Sequence, residues 1–331
     1  MTAFLGLCVT FALLSGALNA QERKLDTINV SFSSVSPPRL HLWMARDLGL
    51  FEKHGLDVKL IHISGGPTSL QALLGGNLAI VTAGGQATVA AAARGAPVVI
   101  FGNSHYTPFV LLAGPSITTV EALKGKVIGS SRPAAAADFI TRLVITKLGL
   151  DPNKQVNIRY TGLSTSRERG LLLTQGRIDA TLVNPEDALD LQLKGFRFNI
   201  LGDSVELGAI STEDFTATRD FVKTRSSTAA GFLKALSEAI AIAKGDKSLA
   251  EKFLRRYIKL EDSRVLDSMY QTYVLKAYPE RPYPRIDVID AYIETLGPTT
   301  PELKGKKAAE FVTMDIVAAL DKEGFWSKIK P

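Results

Sequence analysis

From Ile28 onward the sequence alternates short β-rich segments with helical ones, and this alternation limits the folds open to the chain. The first cycle starts at INVSFSS (28–34), passes through PPRLHLWMARDLGLFEKHG to LDVKLIHI, and continues through LAIVTA (78–83). A β-α-β-α-β order favours a mostly parallel sheet with helices on both faces. The sequence therefore predicts an α/β protein.

The same pattern restarts at KVIGSS (126–131) and runs to FRFNIL (196–201), and the chain after Phe215 is almost wholly helical. Two α/β units followed by a helical tail suggest that the second unit is inserted into the first. We expect lobe I to comprise residues 27–112 and 206–331, and lobe II residues 113–205, with a ligand cleft between them. The crossings between the lobes are expected near residues 104–114 and 201–212.

Residues 1–20 carry no charge and are followed by the polar run QERK, which is typical of a secretory signal cut after Ala20. An uncleaved N-terminal anchor is the alternative, since about 18 apolar residues can span a bilayer. The one cysteine, Cys8, lies inside this segment. The mature chain would then have no disulfide, no thiol nucleophile and no cysteine-ligated metal.

The net charge of +6 comes from basic residues that are interspersed with acidic ones. No run of Lys and Arg is long enough to indicate an arm that binds nucleic acid. The 331 residues, 46% of them hydrophobic, suffice for two lobes with buried cores. We therefore expect a folded protein whose charge could steer a small anion.

Two glycine pairs, Gly65-Gly66 and Gly84-Gly85, each stand between a strand-like and a helix-like segment. Their spacing fits neither a phosphate-binding Walker loop nor a dinucleotide fingerprint. Glycine permits sharp turns, and the helix that follows offers free N–H groups and a partial positive charge. Ligands of α/β sheets bind at such strand ends. The corners therefore predict a binding site, although tight turns alone would also explain them.

The second unit offers further corners at strand ends. VIGSSRPAAAADF places Ser130 and Arg132 just before a helix, where hydroxyls and a guanidinium favour an anion. The alternative for this corner is an ordinary serine cap with an arginine in solvent. Thr161 lies at a further corner of the same kind. In TLVNPEDALD, Asn184 is predicted to cap a helix whose first turn carries Glu186-Asp187. Those carboxylates would repel an anion.

Signals for catalysis are few. His41, His54, His62 and His105 show no metal-binding spacing, and no Gly-x-Ser-x-Gly occurs. Helix capping explains the paired carboxylates at 186–187. The residues therefore favour a binding protein without a metal or cofactor over an enzyme.

Several segments in order resemble the solute-binding proteins of ABC importers for nitrate, sulfonate, taurine and thiamine-precursor pyrimidines. The run Ala-x-x-x-Gly-x-Phe-x-x-x-Gly-Leu-x-Val occupies Ala45 to Val58. It is followed by QALLGGNLAIVTAGG, LKGKVIGSS and LLLTQGRIDATLVNP, so the resemblance covers essentially the whole mature chain. The segment ATRDFVKTRSSTAAGFLKAL is also similar, although family members often have proline where Ser226 or Ser227 stands.

The resemblance implies a two-lobed periplasmic-binding-protein fold of type II that closes on a small solute. It implies a periplasmic, monomeric protein whose partner is a membrane permease, with no nucleic acid bound. The solute would be a small organic anion of the sulfonate or carboxylate kind. Mapped onto this sequence, the ligand-binding candidates are Ser33, Ser34, Leu40, His41, Gly65, Gly66, Thr82, Gly85, Ser130, Arg132, Thr161 and Asn184. Phe109 is a candidate for stacking on a ligand ring, or for the core.

Three other functions share this architecture. The fungal pyrimidine-precursor synthases have the same fold, but they use a cofactor lysine, a histidine and a cysteine-rich segment, and the mature chain has no cysteine. Transcription regulators need an N-terminal helix-turn-helix, whereas the first strand here begins at Ile28. A sensor that presents its closed form to a membrane kinase cannot be separated from an import protein by sequence.

Overall fold

The computed structural model describes residues 24–208 and 212–329, so the predicted leader, with Cys8 and the cut at Ala20, lies outside the described residues. The strands are β1 (Asp26–Phe32), β2 (Leu56–His62), β3 (Ile80–Gly84), β4 (Val98–Tyr106), β5 (Val110–Ala113), β6 (Val127–Ser130), β7 (Asn157–Tyr160), β8 (Ala180–Val183), β9 (Asn199–Asp203) and β10 (Thr212–Thr218).

The α-helices are α1 (Leu40–Asp47), α2 (Leu50–Lys53), α3 (Gly66–Leu74), α4 (Gly85–Ala93), α5 (Ala136–Lys147), α6 (Ser166–Thr174), α7 (Pro185–Leu193), α8 (Arg219–Thr224), α9 (Ser226–Gly245), α10 (Lys247–Ile258), α11 (Ser263–Met269), α12 (Ile286–Leu296), α13 (Asp315–Lys322) and α14 (Phe325–Lys328). A π-helix, Tyr270–Ala277, continues α11, and a short 3-10 turn, Pro37–Arg39, precedes α1.

The strands form two five-stranded sheets with the same internal plan. The first sheet has the order β2-β1-β3-β10-β4, and the second has the order β7-β6-β8-β5-β9. In each sheet the first three strands are parallel, and the fourth runs antiparallel to both of its neighbours. We call the first sheet and its helices lobe I, and the second sheet and its helices lobe II. The predicted α/β architecture of two mostly parallel sheets is confirmed.

The antiparallel strand of each sheet follows a crossing of the chain between lobes. The chain leaves β4 and enters β5 through residues 107–109, so the boundary expected at residue 112 falls within β5. The return crossing lies between β9 and β10. Phe109 and Ser204 tie the two crossings together, because the Phe109 N–H donates to Ser204 Oγ (3.0 Å) and the Ser204 N–H donates to the Phe109 carbonyl (2.8 Å).

Helical spacing of apolar residues explains how the helices pack on the sheets. In α5, Phe139, Ile140, Leu143 and Val144 share one buried face against the second sheet. The C-terminal helices pack mainly on lobe I, where the stacked pair Phe51 and Phe232 is buried. The tail therefore covers the first lobe, and α12 also reaches the core of the second. No helix in the two described ranges is long and apolar enough to cross a membrane.

Candidate ligand-binding site

A cavity lies between the two sheets, where the parallel strands of both lobes end. It holds about 770 Å³ of space not filled by protein atoms, including its opening to solvent. Its lining comes from both lobes and from the first crossing, and comprises Ser33, Ser34, Ser36, Pro38, Arg39, Ser64, Gly65, Gly66, Gly84, Thr107, Phe109, Ser131, Arg132, Ala135, Ala136, Ala137, Ser164, Thr165, Ser166, Arg169, Asn184 and Glu213.

Apart from α1, which continues the 3-10 turn Pro37–Arg39, five α-helices of the described residues begin at this cavity, two from lobe I and three from lobe II. The lining residues at their starts are Gly66 of α3, Gly84 before α4, Ala136 of α5, Ser166 of α6 and Asn184 before α7. The first N–H groups of a helix have no partner within the helix and carry a partial positive charge. The convergence of five such ends makes the cavity suited to an oxyanion.

Glycine is required at the lobe I corners for reasons of shape. Gly65 has φ +94°, which side-chain-bearing residues rarely adopt. An alanine at Gly66 would place its Cβ 3.1 Å from Ala87 Cβ, and one at Gly85 would collide with a carboxylate oxygen of Asp214. The strand-to-helix corners of lobe I therefore present bare backbone, and helices α3 and α4 pack closely against each other there.

The lobe II corners instead carry polar side chains in a hydrogen-bonded network. Ser166 donates to Asn184 Oδ1 (2.7 Å) and to a carboxylate oxygen of Asp187. The Asn184 amide donates to the carbonyl of Pro108 (3.0 Å), which lies in the first crossing. Asn184 precedes α7 as predicted, but its side chain makes no cap bond to that helix. It links the lobe II corner to the crossing between the lobes.

The first turn of α7 was expected to carry charged carboxylates that repel an anion, but Glu186 differs from this expectation. Glu186 is fully buried and accepts hydrogen bonds from the Tyr273 hydroxyl at 3.0 and 3.2 Å. Burial, together with the neighbouring Asp187, raises the pKa of Glu186 to about 8. Glu186 is therefore mostly protonated at neutral pH, and the expected repulsion of anions at this corner loses that charge.

Arg132 is exposed at the mouth of the cavity, close to the glycine corner of lobe I. A Cβ built on Gly65 would lie 3.8 Å from Arg132 Cδ. The loop that carries Arg132 is held in a strained form, because Ala134 has φ +57° and donates its N–H to Asp138 Oδ2 (2.9 Å). Asp138 is buried and also accepts from Arg142 Nε (3.0 Å). The hydrogen bonds of Asp138 therefore hold the loop that carries Arg132 in place beside the helix starts.

Sequence reasoning missed a buried ion pair in the lining, Arg39 with Glu213. Arg39 also donates to Ser33 Oγ (3.0 Å), and Ser33 donates to Glu213 Oε1 (2.7 Å). Burial lowers the pKa of Arg39 to about 9, so Arg39 remains a cation at neutral pH. A signal was present, since a charged residue in the apolar run PPRLHLWM calls for a buried partner.

Arg169 was also missed. It is 2% exposed and donates to the backbone carbonyls of Thr165 (3.0 Å), Leu163 (3.3 Å) and Leu182 (3.3 Å). Within the part of the chain that the structure describes, the charged groups of the lining are three guanidinium groups, Arg39, Arg132 and Arg169, and one carboxylate, Glu213. This charge balance complements a negative ligand.

The structure divides the predicted site residues into two sets. Those in the lining are Ser33, Ser34, Gly65, Gly66, Arg132 and Asn184, and their binding role stays a prediction. Those outside the lining are Leu40, His41, Thr82, Gly85, Ser130 and Thr161, all of them buried or half-buried. Phe109 lies in the lining but is only 8% exposed.

The residues outside the lining make contacts within the protein. His41 Nδ1 lies 3.2 Å from the Tyr278 hydroxyl, and burial lowers the pKa of His41 to about 3. Thr82 donates to the Ser31 carbonyl (2.9 Å), and Thr161 donates to the Ser130 carbonyl (2.9 Å). The sequence placed Thr82 and Thr161 at strand ends and His41 at the start of the first helix, but it could not tell which of these side chains turn inward.

Comparison with protein families assigns the chain. A model of the NMT1/THI5-like family matches residues 37–248, more than half of the chain. The chain belongs to the NMT1/THI5-like family. This confirms the resemblance seen in the sequence. The chain is also similar to YtlA of Bacillus subtilis (strain 168), which is provisionally named a binding protein. The two are 26% identical over 70% of this chain and 71% of YtlA.

Two further similarities differ in kind. The chain is 30% identical to 4-amino-5-hydroxymethyl-2-methylpyrimidine phosphate synthase of Schizosaccharomyces pombe, over 38% of this chain and 36% of the synthase. The crystal structure of the periplasmic aliphatic sulphonate binding protein SsuA from Escherichia coli superposes with a TM-score of 0.68 at 18% identity, covering 87% of this chain and 92% of SsuA. The second similarity shows that the family fold here is that of a periplasmic binding protein.

Proposed function

We propose that this protein is an extracytoplasmic solute-binding protein of an ABC importer, and that it captures a small organic anion of the sulfonate or carboxylate kind. The observation that carries the proposal is the cavity between the lobes. Its lining combines five helix starts and three guanidinium groups with a single carboxylate among the described residues. Such an arrangement favours an oxyanion without supplying a reactive group. The binding proteins among the similar chains, YtlA and SsuA, agree with it.

In this proposal, lobe I and lobe II close on the ligand about the two crossings, and β5 (Val110–Ala113) moves with lobe II. Closure is favoured by the difference between the ligand's affinities for the closed and the open forms. The leader would direct the chain to the periplasm, where the monomeric, ligand-loaded protein meets its membrane permease. The link between Asn184 and Pro108 supports coupling between the lobe II corner and the hinge.

Synthase activity is the alternative, suggested by the partial similarity to the pyrimidine phosphate synthase. Among the described residues that line the cavity there is no lysine, histidine or cysteine. These are the residue types on which the fungal synthases rely, so the lining does not offer the groups of that particular reaction. The lining supports binding over catalysis.

The test is a thermal-shift screen of the purified mature chain, followed by calorimetry of each compound that shifts the melting temperature. Sulfonates, carboxylates, nitrate and hydroxymethylpyrimidine form the panel. We expect small anions to raise the melting temperature because they bind only the folded state. The proposal is wrong if only the pyrimidine stabilises the protein, or if no anion binds.

A further inference from the structure

Gln86 is a buried polar side chain whose carboxamide makes no hydrogen bond within residues 24–208 and 212–329. It is the second residue of α4 and only 2% exposed. Neither Oε1 nor Nε2 of its carboxamide has a hydrogen-bond partner among the described residues. Buried amides are almost always hydrogen-bonded, and an unsatisfied one lowers the stability of the fold.

The carboxamide lies just behind the lining of the cavity, next to two residues that belong to that lining. A Cβ built on Gly84 would collide with Gln86 Oε1, and would lie 2.7 Å from Gln86 Nε2 and 2.9 Å from Ala136 Cβ. Gly84 and Ala136 both line the cavity, one before α4 in lobe I and the other at the start of α5 in lobe II. The amide therefore lies beside the starts of α4 and α5. Its neighbour Gly84 has no side chain that could separate it from the cavity.

The equivalent position in lobe II shows what is missing. Helix α7 follows β8 as α4 follows β3, and the second residue of α7 is Glu186. Glu186 is fully buried as well, but the Tyr273 hydroxyl satisfies it at 3.0 Å. The buried polar side chain at this position is therefore hydrogen-bonded in lobe II, whereas its counterpart in lobe I has no hydrogen bond to the described residues.

We infer that Gln86 is a ligand-binding residue whose Nε2 donates a hydrogen bond to an oxygen of the bound anion. The inference rests on the proposed function. An anion held at the starts of α4 and α5 would lie next to Gly84, and the Gln86 side chain would reach it by rotating past this glycine, which has no Cβ in the way. A neutral amide donor adds affinity without adding a charge that the protein would have to compensate when no ligand is bound.

The test separates binding from a structural role by measuring two quantities that should move in opposite directions. Gln86→Leu removes both polar atoms at similar size. Its melting temperature without ligand should rise, because a buried unsatisfied amide is gone. Its affinity for the anion should fall about tenfold, because a hydrogen bond to a charged group is lost. The matched control is Gln71→Leu, at an exposed position on α3.

Methanesulfonate, acetate, benzoate and nitrate serve as probes, by calorimetry on the mature chain. If Gln86→Leu does not fold, Gln86→Met, which keeps the unbranched shape, takes its place. Wild-type affinity in the folded variant overturns the role of Gln86 and leaves the proposed function standing. Absence of binding by the wild-type protein to all four probes overturns both.

Discussion

The two lobes have the same sheet plan but build their ligand-facing corners from different materials. In lobe I the corners before α3 and α4 are glycine pairs, Gly65-Gly66 and Gly84-Gly85, which place no side chain between the backbone and the cavity. In lobe II the corners before α6 and α7 carry Thr165, Ser166 and Asn184, whose side chains bond to one another or to their own helix. In both lobes the positive potential comes from the N-terminal ends of the helices that begin at the cavity. Because this potential does not depend on side chains, the corners of the two lobes can carry different residues.

The difference shows what each lobe contributes. A glycine corner lets a ligand approach the backbone closely, but packing leaves it little tolerance for substitution. A polar corner is instead tied to other segments by hydrogen bonds, such as the one that Asn184 donates to the Pro108 carbonyl in the first crossing. Lobe I is therefore expected to be the rigid half of the site, and lobe II the half that senses closure.

Substitution of Gly85 should give the largest effect and is the sharpest test of the rigid corner. Gly85→Ala would force a Cβ into the Asp214 carboxylate, and we expect a loss of about 3 kcal/mol in the free energy of unfolding, at the upper end of overpacking costs. Urea denaturation measures it. Pro185→Ala, at the equivalent position of lobe II, should cost about 1 kcal/mol or less. Equal losses for the two variants would break the comparison.

Removal of the Arg132 side chain should weaken anion binding without unfolding the protein. Arg132→Ala deletes a charged donor at the lobe II side of the cavity, and we expect the dissociation constant to rise roughly 10- to 100-fold. Because Arg132 is exposed, the free energy of unfolding should change by less than about 0.5 kcal/mol. Calorimetry gives the affinity, with the exposed Arg197→Ala as control. Unchanged affinity would remove Arg132 from the site.

The pH dependence of stability tests the buried acid that distinguishes α7 from α4. Glu186 has a folded-state pKa of about 8, above its ordinary 4.5, so the folded protein holds a proton that the unfolded chain releases between these values. Stability should therefore be greatest below about pH 4.5 as far as this group is concerned, and should fall as the pH rises towards 8.

Glu186→Gln cannot lose that proton. We expect its stability relative to the wild type to improve by about 1–2 kcal/mol between pH 5 and pH 8, since one pKa unit corresponds to about 1.4 kcal/mol and part of the effect is shared with Asp187. Denaturation at both pH values measures the difference, and Glu206→Gln at an exposed site is the control. Parallel pH profiles for wild type and Glu186→Gln would show that Glu186 is charged in the folded protein.

The smallest effect concerns backbone strain at the Arg132 loop. Ala134 has φ +57°, a left-handed conformation that costs alanine about 1 kcal/mol, so Ala134→Gly should stabilise the protein by about 0.5 kcal/mol after the entropy of the unfolded glycine is counted. Gly65→Ala should do the reverse in lobe I, at a cost of about 1 kcal/mol or more. Urea midpoints for both variants decide the point. Destabilisation by Ala134→Gly would mean that no strain is stored there.

Much of the architecture could be predicted from local patterns. The alternation of strand and helix gave two mostly parallel sheets, and glycine pairs marked the strand ends that face the cavity. The buried partners could not be predicted, because they come from distant parts of the chain. Glu213 lies on β10 and meets Arg39, while Tyr273 lies in the π-helix and meets Glu186. Nothing in the local sequence around either residue specifies its partner.

The sequence by itself determined the lobes, the direction of their helices and the positions of the glycine corners, because hydrophobic periodicity and backbone freedom are local properties. Only the tertiary structure decided which polar side chains face the cavity. Ser33 and Asn184 line it, whereas His41 and Thr82, equally plausible by spacing, are satisfied inside the protein. That outcome depends on which groups from other segments supply hydrogen bonds, and these groups meet only after the sheets have packed.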